Sequence, residues 1–425
     1  MKYSLLGFGL SNKEILKYLL GKKVEIFVSE AKKLKDSDRK FLIKHGIDFE
    51  ELGHTNKVLN ADIILVSPGI IYNHPIIENA LKENIKISTE LSFCINELKN
   101  TGWSPKIIAV TGSVGKSTTV SIINHVLLKQ TSSTIGGNIG IPVSTLLNNN
   151  IRTEYLVLEV SSFQLYWSDY FKPDVAAILN IYPNHLNWHP DMEHYVMSKF
   201  KITAFQNRND IFVYNAYDPE IFKKLSIVKA KKIPFYPELE FSNLPPHLRY
   251  KQNIENITAA KVIIESIGFK FNIDYLKDFK NLPHRMEYVS EINGIKFFND
   301  SKATNAAAVI KAIENFDENL LLILAGVGKN EDYTELVNTI KNHAKFVTIV
   351  GPIAKNLKPY LENIGIFYKE FPDIEKAVNF CFQNAQKGDV ILLSPAGASF
   401  DAYKNFEERG AHFKKIVESL KEAEF

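Results

Sequence analysis

The chain has 425 residues, 45% hydrophobic and 23% charged, with a formal net charge of +3. That composition is typical of soluble globular proteins with ample core, and the length suggests about two to four domains. The charge is too small to argue for a nucleic-acid or membrane partner, and Cys94 and Cys381, far apart and without metal-ligand spacing, fit a reducing cytoplasm.

The N-terminal apolar run is broken at Ser11-Asn12-Lys13-Glu14, too early for a signal peptide, and no apolar stretch is long enough to span a bilayer. Tyr3 to Leu6 reads as a strand, Gly7-Phe8-Gly9-Leu10-Ser11 as a tight turn, Ile15 to Leu20 as a helix, and Val24 to Val28 as the next strand. This is a βαβ opening of Rossmann type. Asn12 stands where a third glycine would complete a dinucleotide fingerprint, so the turn implies only a helix start able to hold a phosphate or diphosphate. Ile63 to Val66 is a further strand ending in Ser67-Pro68-Gly69, at the sheet edge where ligands of open α/β folds gather. An α/β domain with glycine turns and no ligand fits these residues equally well.

Lys106 to Val110 is apolar and β-branched, a buried strand. Thr111-Gly112-Ser113-Val114-Gly115-Lys116-Ser117-Thr118 follows, and Val120 to Leu128 carries apolar residues at helical spacing. Strand, glycine turn, Lys-Ser and helix make a triphosphate cradle: glycines admit an anion, helix-start amides point at it, Lys116 reaches the outer phosphates and Ser117 suits Mg²⁺. Val110 occupies the position where the common pattern has its first glycine. Gly136-Gly137-Asn138-Ile139-Gly140 is a second glycine loop, and Tyr155 to Val160 is a strand whose Glu159 suits a hard metal. Val175 to Leu179 is another strand, followed by Asn180-Ile181-Tyr182-Pro183-Asn184-His185, and a helix covers about His194 to Phe205. On residue type alone, Lys199 on that helix reads as surface charge.

Leu282-Pro283-His284-Arg285 suits a linker. Beyond it, three strand ends carry polar residues: Asp300-Ser301-Lys302-Ala303-Thr304-Asn305, Ala325-Gly326-Val327-Gly328-Lys329, and Ser394 to Asp401. Three such ends in one segment argue for a second ligand face.

The loop from Thr111 to Thr118 resembles the ATP loop of the Mur ligases, the ATP-dependent amide ligases of peptidoglycan precursor synthesis. Glu159-Val160-Ser161-Ser162-Phe163-Gln164-Leu165, His185 with Tyr195-Val196-Met197-Ser198-Lys199, Asp300 to Asn305, and Asn405-Phe406-Glu407-Glu408-Arg409-Gly410 are similar to that family's D-glutamate-adding branch. Asn184 and Val327 stand where the branch usually carries acids.

The resemblance implies three α/β domains: a Rossmann-like N-terminal domain (1–97) for a UDP substrate, a central P-loop ATPase-type domain (98–281), and a Rossmann-like C-terminal domain (282–425) for the amino acid. It implies a cytoplasmic monomer that uses ATP, UDP-N-acetylmuramoyl-L-alanine and D-glutamate, with no nucleic-acid or membrane partner. Gly112, Ser113, Val114, Gly115, Lys116, Ser117 and Thr118, with Asn253, Asn256, Arg285 and Asp300, would hold ATP. Of two Mg²⁺ ions, Ser117 and Glu159 would bind one, and His185 and a carbamylated Lys199 the other. Lys302, Thr304, Lys329, Ser399 and the Phe406 backbone would receive the amino acid; Lys116, His185, Lys199 and Lys302 would carry the catalysis. Ser11, Ser67 and Gly69 would lie near the UDP moiety, Asn138 and Gln164 near the muramoyl arm. A sibling ligase, folylpolyglutamate synthase, or a P-loop switch or kinase that makes no amide are the alternatives.

Overall fold

The computed structural model describes residues 1–237, 244–245, 248–316, 319–329 and 331–422. Its strands form three sheets, and the chain divides into two compact units. The first unit comprises Met1–Ile181, Trp188–Pro237 and Asn256–Tyr275. The second comprises Tyr182–Asn187 and the described residues within 238–255 and 276–425.

The first unit holds two parallel sheets. β1 (Lys2–Leu6), β2 (Glu25–Ser29), β3 (Asp48–Glu50), β4 (Ile63–Val66) and β5 (Lys86–Ser88) form one, in the order β3-β2-β1-β4-β5. β6 (Lys106–Thr111), β7 (Ser133–Gly137), β8 (Tyr155–Glu159), β9 (Val175–Ile178), β10 (Ile211–Asn215) and β11 (Lys231–Phe235) form the other, in the order β11-β10-β9-β6-β8-β7. β6 is buried from Ile107 to Thr111, as expected of a parallel strand covered on both faces. Its neighbours are β8 and β9, in register at Val110 with Glu159 and Ala177. The ends of those three strands therefore sit side by side, and the phosphate loop leaves from the middle one.

The two sheets share one apolar core, which includes Leu5, Ile15, Leu91, Ala109, Leu146 and Leu158. Polar contacts also cross between them. Asp169 accepts hydrogen bonds from Ser88 and Ser92, and buried Glu90 accepts one from the Ser144 amide at 2.6 Å. Ser144 lies in the first turn of the helix Val143–Asn148, where amides lack partners within the helix.

In the second unit, β12 (Glu287–Ile292), β13 (Ile295–Asn299), β14 (Leu320–Ala325), β15 (Ala344–Val350), β16 (Tyr368–Phe371) and β17 (Val390–Ala396) run in the order β12-β13-β17-β14-β15-β16. Only β12, at the edge, is antiparallel to its neighbour. Apolar clusters cover both faces, around Val309, Leu322 and Leu357 on one and Phe297, Ile323 and Phe413 on the other. Two helices begin or end differently from the spacing's reading. The first begins at Leu10, directly after Gly9, and the one carrying Lys199 runs Met192–Phe200 before a short 3₁₀ turn, Lys201–Thr203.

Glu90 is the buried carboxylate joining the two sheets, and burial pushes its pKa up. Replacing it with Ala leaves the Ser144 amide without an acceptor, so Glu90→Ala should lower the stability of the first unit by about 2 kcal/mol. Glu90→Gln, which keeps an acceptor, should lose less. All three tryptophans belong to this unit, so fluorescence-detected urea unfolding reads it directly. Equal losses for both variants would show that the acceptor is not what matters.

Candidate active site

The phosphate loop is built by one glycine and one asparagine. Gly115 has φ +86°, which strains any other residue, and a Cβ there would lie 2.2 Å from Asn256 Oδ1, so the Asn256 side chain would have to move. The helix Lys116–Leu127 begins immediately after it. Val110 does not disturb the loop, because it is still inside β6 and the turn starts at Gly112. Asn180, just past β9, accepts from the Ser113 and Val114 amides through Oδ1 at 3.1 and 2.9 Å. Those amides face an oxygen acceptor already, which is the role a phosphate oxygen takes in such loops. Asn256 also accepts from the Thr119 hydroxyl at 3.2 Å, tying the helix Lys251–Ser266 to the loop's helix.

Lys116 Nζ donates to Gly112 O at 2.8 Å and to Ser113 O at 3.2 Å. Lys199 Nζ donates to the same Gly112 carbonyl at 2.9 Å and sits 4.5 Å from the Tyr195 ring centroid. The Tyr195 hydroxyl in turn bonds Ser113 Oγ at 2.9 Å. Lys199 is 1% exposed, and burial, reinforced by the Lys116 charge and opposed by Glu159, pushes its pKa far below the usual lysine range. Asp191 caps the helix that carries it. Ser117 Oγ donates to one oxygen of buried Glu159, and Asn138 Nδ2 donates to the other at 2.7 Å. A carboxylate and a hydroxyl side by side at a phosphate loop are donors a hard cation accepts, with phosphate oxygens and water completing its shell. Among the described residues no group of three or more His, Cys, Asp or Glu side chains gathers as a metal site. Thr118 is buried in the first helical turn.

Two residues expected near the muramoyl arm have partners in the protein. Asn138 is the one that orients Glu159, and Gln164 Oε1 closes a capping box with Ser161 at the start of the helix Ser162–Trp167. Ser11 is half-buried in the first turn of its helix, while Ser67 lies against Gly7, where a Cβ would come within 2.8 Å of it. Gly69 is exposed in the following turn.

The second unit brings together a separate set. Asp300, Lys302 and Thr304 follow β13, Lys329 follows β14, and Ser399 follows β17; these three strands are neighbours. Arg409 binds the three ends together. Its guanidinium is 1% exposed and donates to Ser301 O at 2.8 Å, Gly397 O at 3.0 Å and Ala325 O at 3.4 Å. Burial lowers its pKa to about 10. The sequence motif contains Arg409 without a role for it; an arginine directly before a glycine in the first turn of the helix Phe406–Glu422 gives no sign of burial. Lys302 Nζ lies 3.8 Å from the Phe406 ring centroid, and Ser301 Oγ donates to Phe406 O at 2.9 Å. Lys329 Nζ donates to Asn184 Oδ1 at 3.3 Å, and burial lowers its pKa. His185, next to Asn184, adopts φ +58° and belongs to this unit, whereas Lys199 belongs to the first. Asn253 is buried in this unit and Asn256 in the other. Arg285 stands beside Asp300, and its charge opposes the effect of burial there.

Three family models match in chain order: the MurD N-terminal domain over residues 2–75, the Mur ligase middle domain over 110–275, and the Mur ligase glutamate ligase domain over 284–397. A UDP-N-acetylmuramoylalanine–D-glutamate ligase of Thermosipho africanus is 64% identical over 99% of both chains. This chain belongs to the Mur ligase family. Another Mur ligase relative of the same name, from Fervidobacterium nodosum, is 55% identical over 99% of both chains. The Mur ligase fold is shared with the MurF ligase of Thermotoga maritima in complex with ADP, at a TM-score of 0.63 and 18% identity, covering 98% of this chain and 95% of that one.

Asp300 carries a testable consequence. Burial pushes its carboxyl up to about 7, although the Met286 amide and Ser394 hydroxyl bond it and Arg285 opposes the shift. A carboxyl whose folded pKa is raised contributes stability below its unfolded value, and that contribution is lost as pH rises through the folded value. Relative to Asp300→Asn, the wild type should therefore lose stability steadily between pH 3.8 and about 7. Urea midpoints of both proteins across that range test this; a constant difference would contradict it.

Proposed function

We propose that this chain is an ATP-dependent ligase of peptidoglycan precursor synthesis that joins D-glutamate to UDP-N-acetylmuramoyl-L-alanine through an acyl phosphate. The observation that carries this reading is the Lys116, Ser117 and Glu159 arrangement in a chain 64% identical over its length to a ligase of that name. The MurF neighbour's ADP supports adenine nucleotide as the phosphoryl source.

A carboxylate is a poor acyl donor at neutral pH. Transfer of the γ-phosphoryl group to the substrate carboxylate gives ADP and an acyl phosphate with a good leaving group. The D-glutamate amine then attacks the acyl carbon, phosphate departs, and the amine's proton is released. Negative charge gathers on the phosphoryl oxygens, so the fixed amides after Gly112 and the mobile Lys116 ammonium are the groups that lower this barrier.

Ser117 and Glu159 would hold one Mg²⁺, which supplies charge neutralisation at the phosphates. Lys199 is assigned to the second as a carbamate. An ammonium has no lone pair for a cation, whereas burial here favours the neutral amine that takes up CO₂. His185 is carried to the same ion on the resemblance of its segment alone. Gly112 to Thr118 and Asn256 would hold ATP, with Asn253, Arg285 and Asp300. Lys302, Thr304, Lys329, Ser399 and the Phe406 backbone would receive D-glutamate, their strand ends bound together by Arg409. Ser11, Ser67 and Gly69 would serve the UDP moiety, and Asn138 and Gln164 the muramoyl arm. The roles divide as 1–97 for the UDP substrate, 98–281 for ATP and 282–425 for the amino acid, in a cytoplasmic monomer.

Mass spectrometry of a reaction with ATP, UDP-N-acetylmuramoyl-L-alanine and D-glutamate should show a product heavier by one glutamyl residue. Lys116→Ala should lower its formation by at least about a thousandfold, a loss of about 4 kcal/mol of transition-state stabilisation. Phosphate release that ignores the amino acid would favour a nucleotide switch instead.

A further inference from the structure

Two histidines at the C-terminal edge of the first sheet are held in opposite proton arrangements. Gly7 N donates to Ser29 O at 2.8 Å and Phe8 N to Glu30 Oε2 at 2.6 Å, which fixes the Gly7–Gly9 turn against the end of β2. The Ser29 hydroxyl spends its only proton on Glu50 Oε1, at 2.6 Å. Burial works to raise the Glu50 pKa, but bonds from Ser29 and Thr55 hold it below the ordinary value, so it is an acceptor. Ser29 Oγ must therefore accept from His54 Nδ1, 2.7 Å away. That puts the His54 proton on Nδ1 and leaves Nε2 a lone pair.

His74 is arranged the other way. It caps the helix Pro75–Lys82, and its Nδ1 accepts from the Ile76 amide at 3.3 Å, so its proton is on Nε2. Burial lowers the pKa of both rings, which keeps them neutral above pH 6.5. The ring centroids are 5.2 Å apart, and both residues are half-buried. Among the described residues neither Nε2 has a hydrogen-bond partner. His54 follows β3, and His74 ends the turn that starts at Ser67, after β4.

We propose that His54 and His74 read the imide edge of a uracil base, His54 Nε2 accepting from N3–H and His74 Nε2–H donating to the adjacent carbonyl oxygen. The inference rests on the proposed function, which calls for a UDP substrate, and names the groups that choose its base. Cytosine presents the opposite pattern on that edge, an acceptor at N3 and an amino donor beside it. Each contact would then meet its own kind, and a site built to bond a polar group rejects the analogue that cannot pair with it. Neither histidine belongs to a sequence motif, and the tautomers emerge only from the partners of Nδ1.

The experiment is calorimetric titration of the full chain with UDP and with CDP, the phosphate loop first saturated with a non-hydrolysable ATP analogue. Wild type should bind UDP at least about tenfold more tightly than CDP, the effect of one or two hydrogen bonds. His54→Phe, similar in shape without the ring nitrogens, and His74→Asn, which keeps the helix cap, should each weaken UDP about tenfold and leave CDP nearly unchanged, so the preference collapses. Wild-type affinity for the ATP analogue shows that each variant is folded. Equal affinity of wild type for UDP and CDP, or variants that keep the full preference, would overturn the proposal. Failure of the ligase reading shows elsewhere, as a wild type that binds UDP selectively yet forms no glutamyl product.

Discussion

Two lysine side chains converge on one carbonyl oxygen, that of Gly112, and the arrangement of the first unit follows from that convergence. Lys116 reaches it from the helix after the loop, and Lys199 from a helix far along the chain. Two ammonium groups so close repel each other, and Lys199 is also buried. The site relieves the conflict by lowering the Lys199 pKa, with Glu159 as the countercharge. Strand order makes this possible: β8 brings Glu159 and β9 brings Asn180 to either side of the loop that leaves β6. Gly115, without a side chain, lets Asn256 press against the loop.

The second unit solves a similar problem with one cation. Arg409 is buried with backbone carbonyls and the Ser301 hydroxyl as its hydrogen-bond acceptors. Carbonyl dipoles from the ends of β13, β14 and β17 receive its donors in a fan that a lysine could not reproduce. The close approach of Gly326, where a Cβ would sit 2.8 Å from the guanidinium, is part of the same packing. The candidate amino acid residues stand on loops whose spacing this one side chain sets.

Much of this was legible because strand ends in parallel α/β sheets are where function collects. The β-branched run before Gly112, the lone Glu159 and the polar groups after Asn299 stood out on composition alone. Side chains whose work is to hold other side chains were not legible. Asn180 looks like an ordinary loop residue, and nothing in the sequence shows that Asn138 orients Glu159 or that Gln164 closes a helix cap. Lys199 is the sharpest case. Its helix buries Tyr195, Val196, Ser198, Lys199 and Phe200 while Met197 is 39% exposed, the reverse of what amphipathic spacing would assign to a methionine and a lysine. Residue type placed Lys199 on the surface, and only the motif around it argued otherwise. The three domains read from the chain match three family models in order, and the first two sheets nevertheless pack as one unit because Glu90, Asp169 and a common apolar core bind them.

The carbamate proposed on the Lys199 nitrogen can be observed without turnover. Protein equilibrated with ¹³C-bicarbonate should show one slowly exchanging carbamate resonance that is absent from Lys199→Arg. An active wild type with no such resonance, or one that persists in Lys199→Arg, would contradict the assignment of Lys199 as an anionic cation ligand.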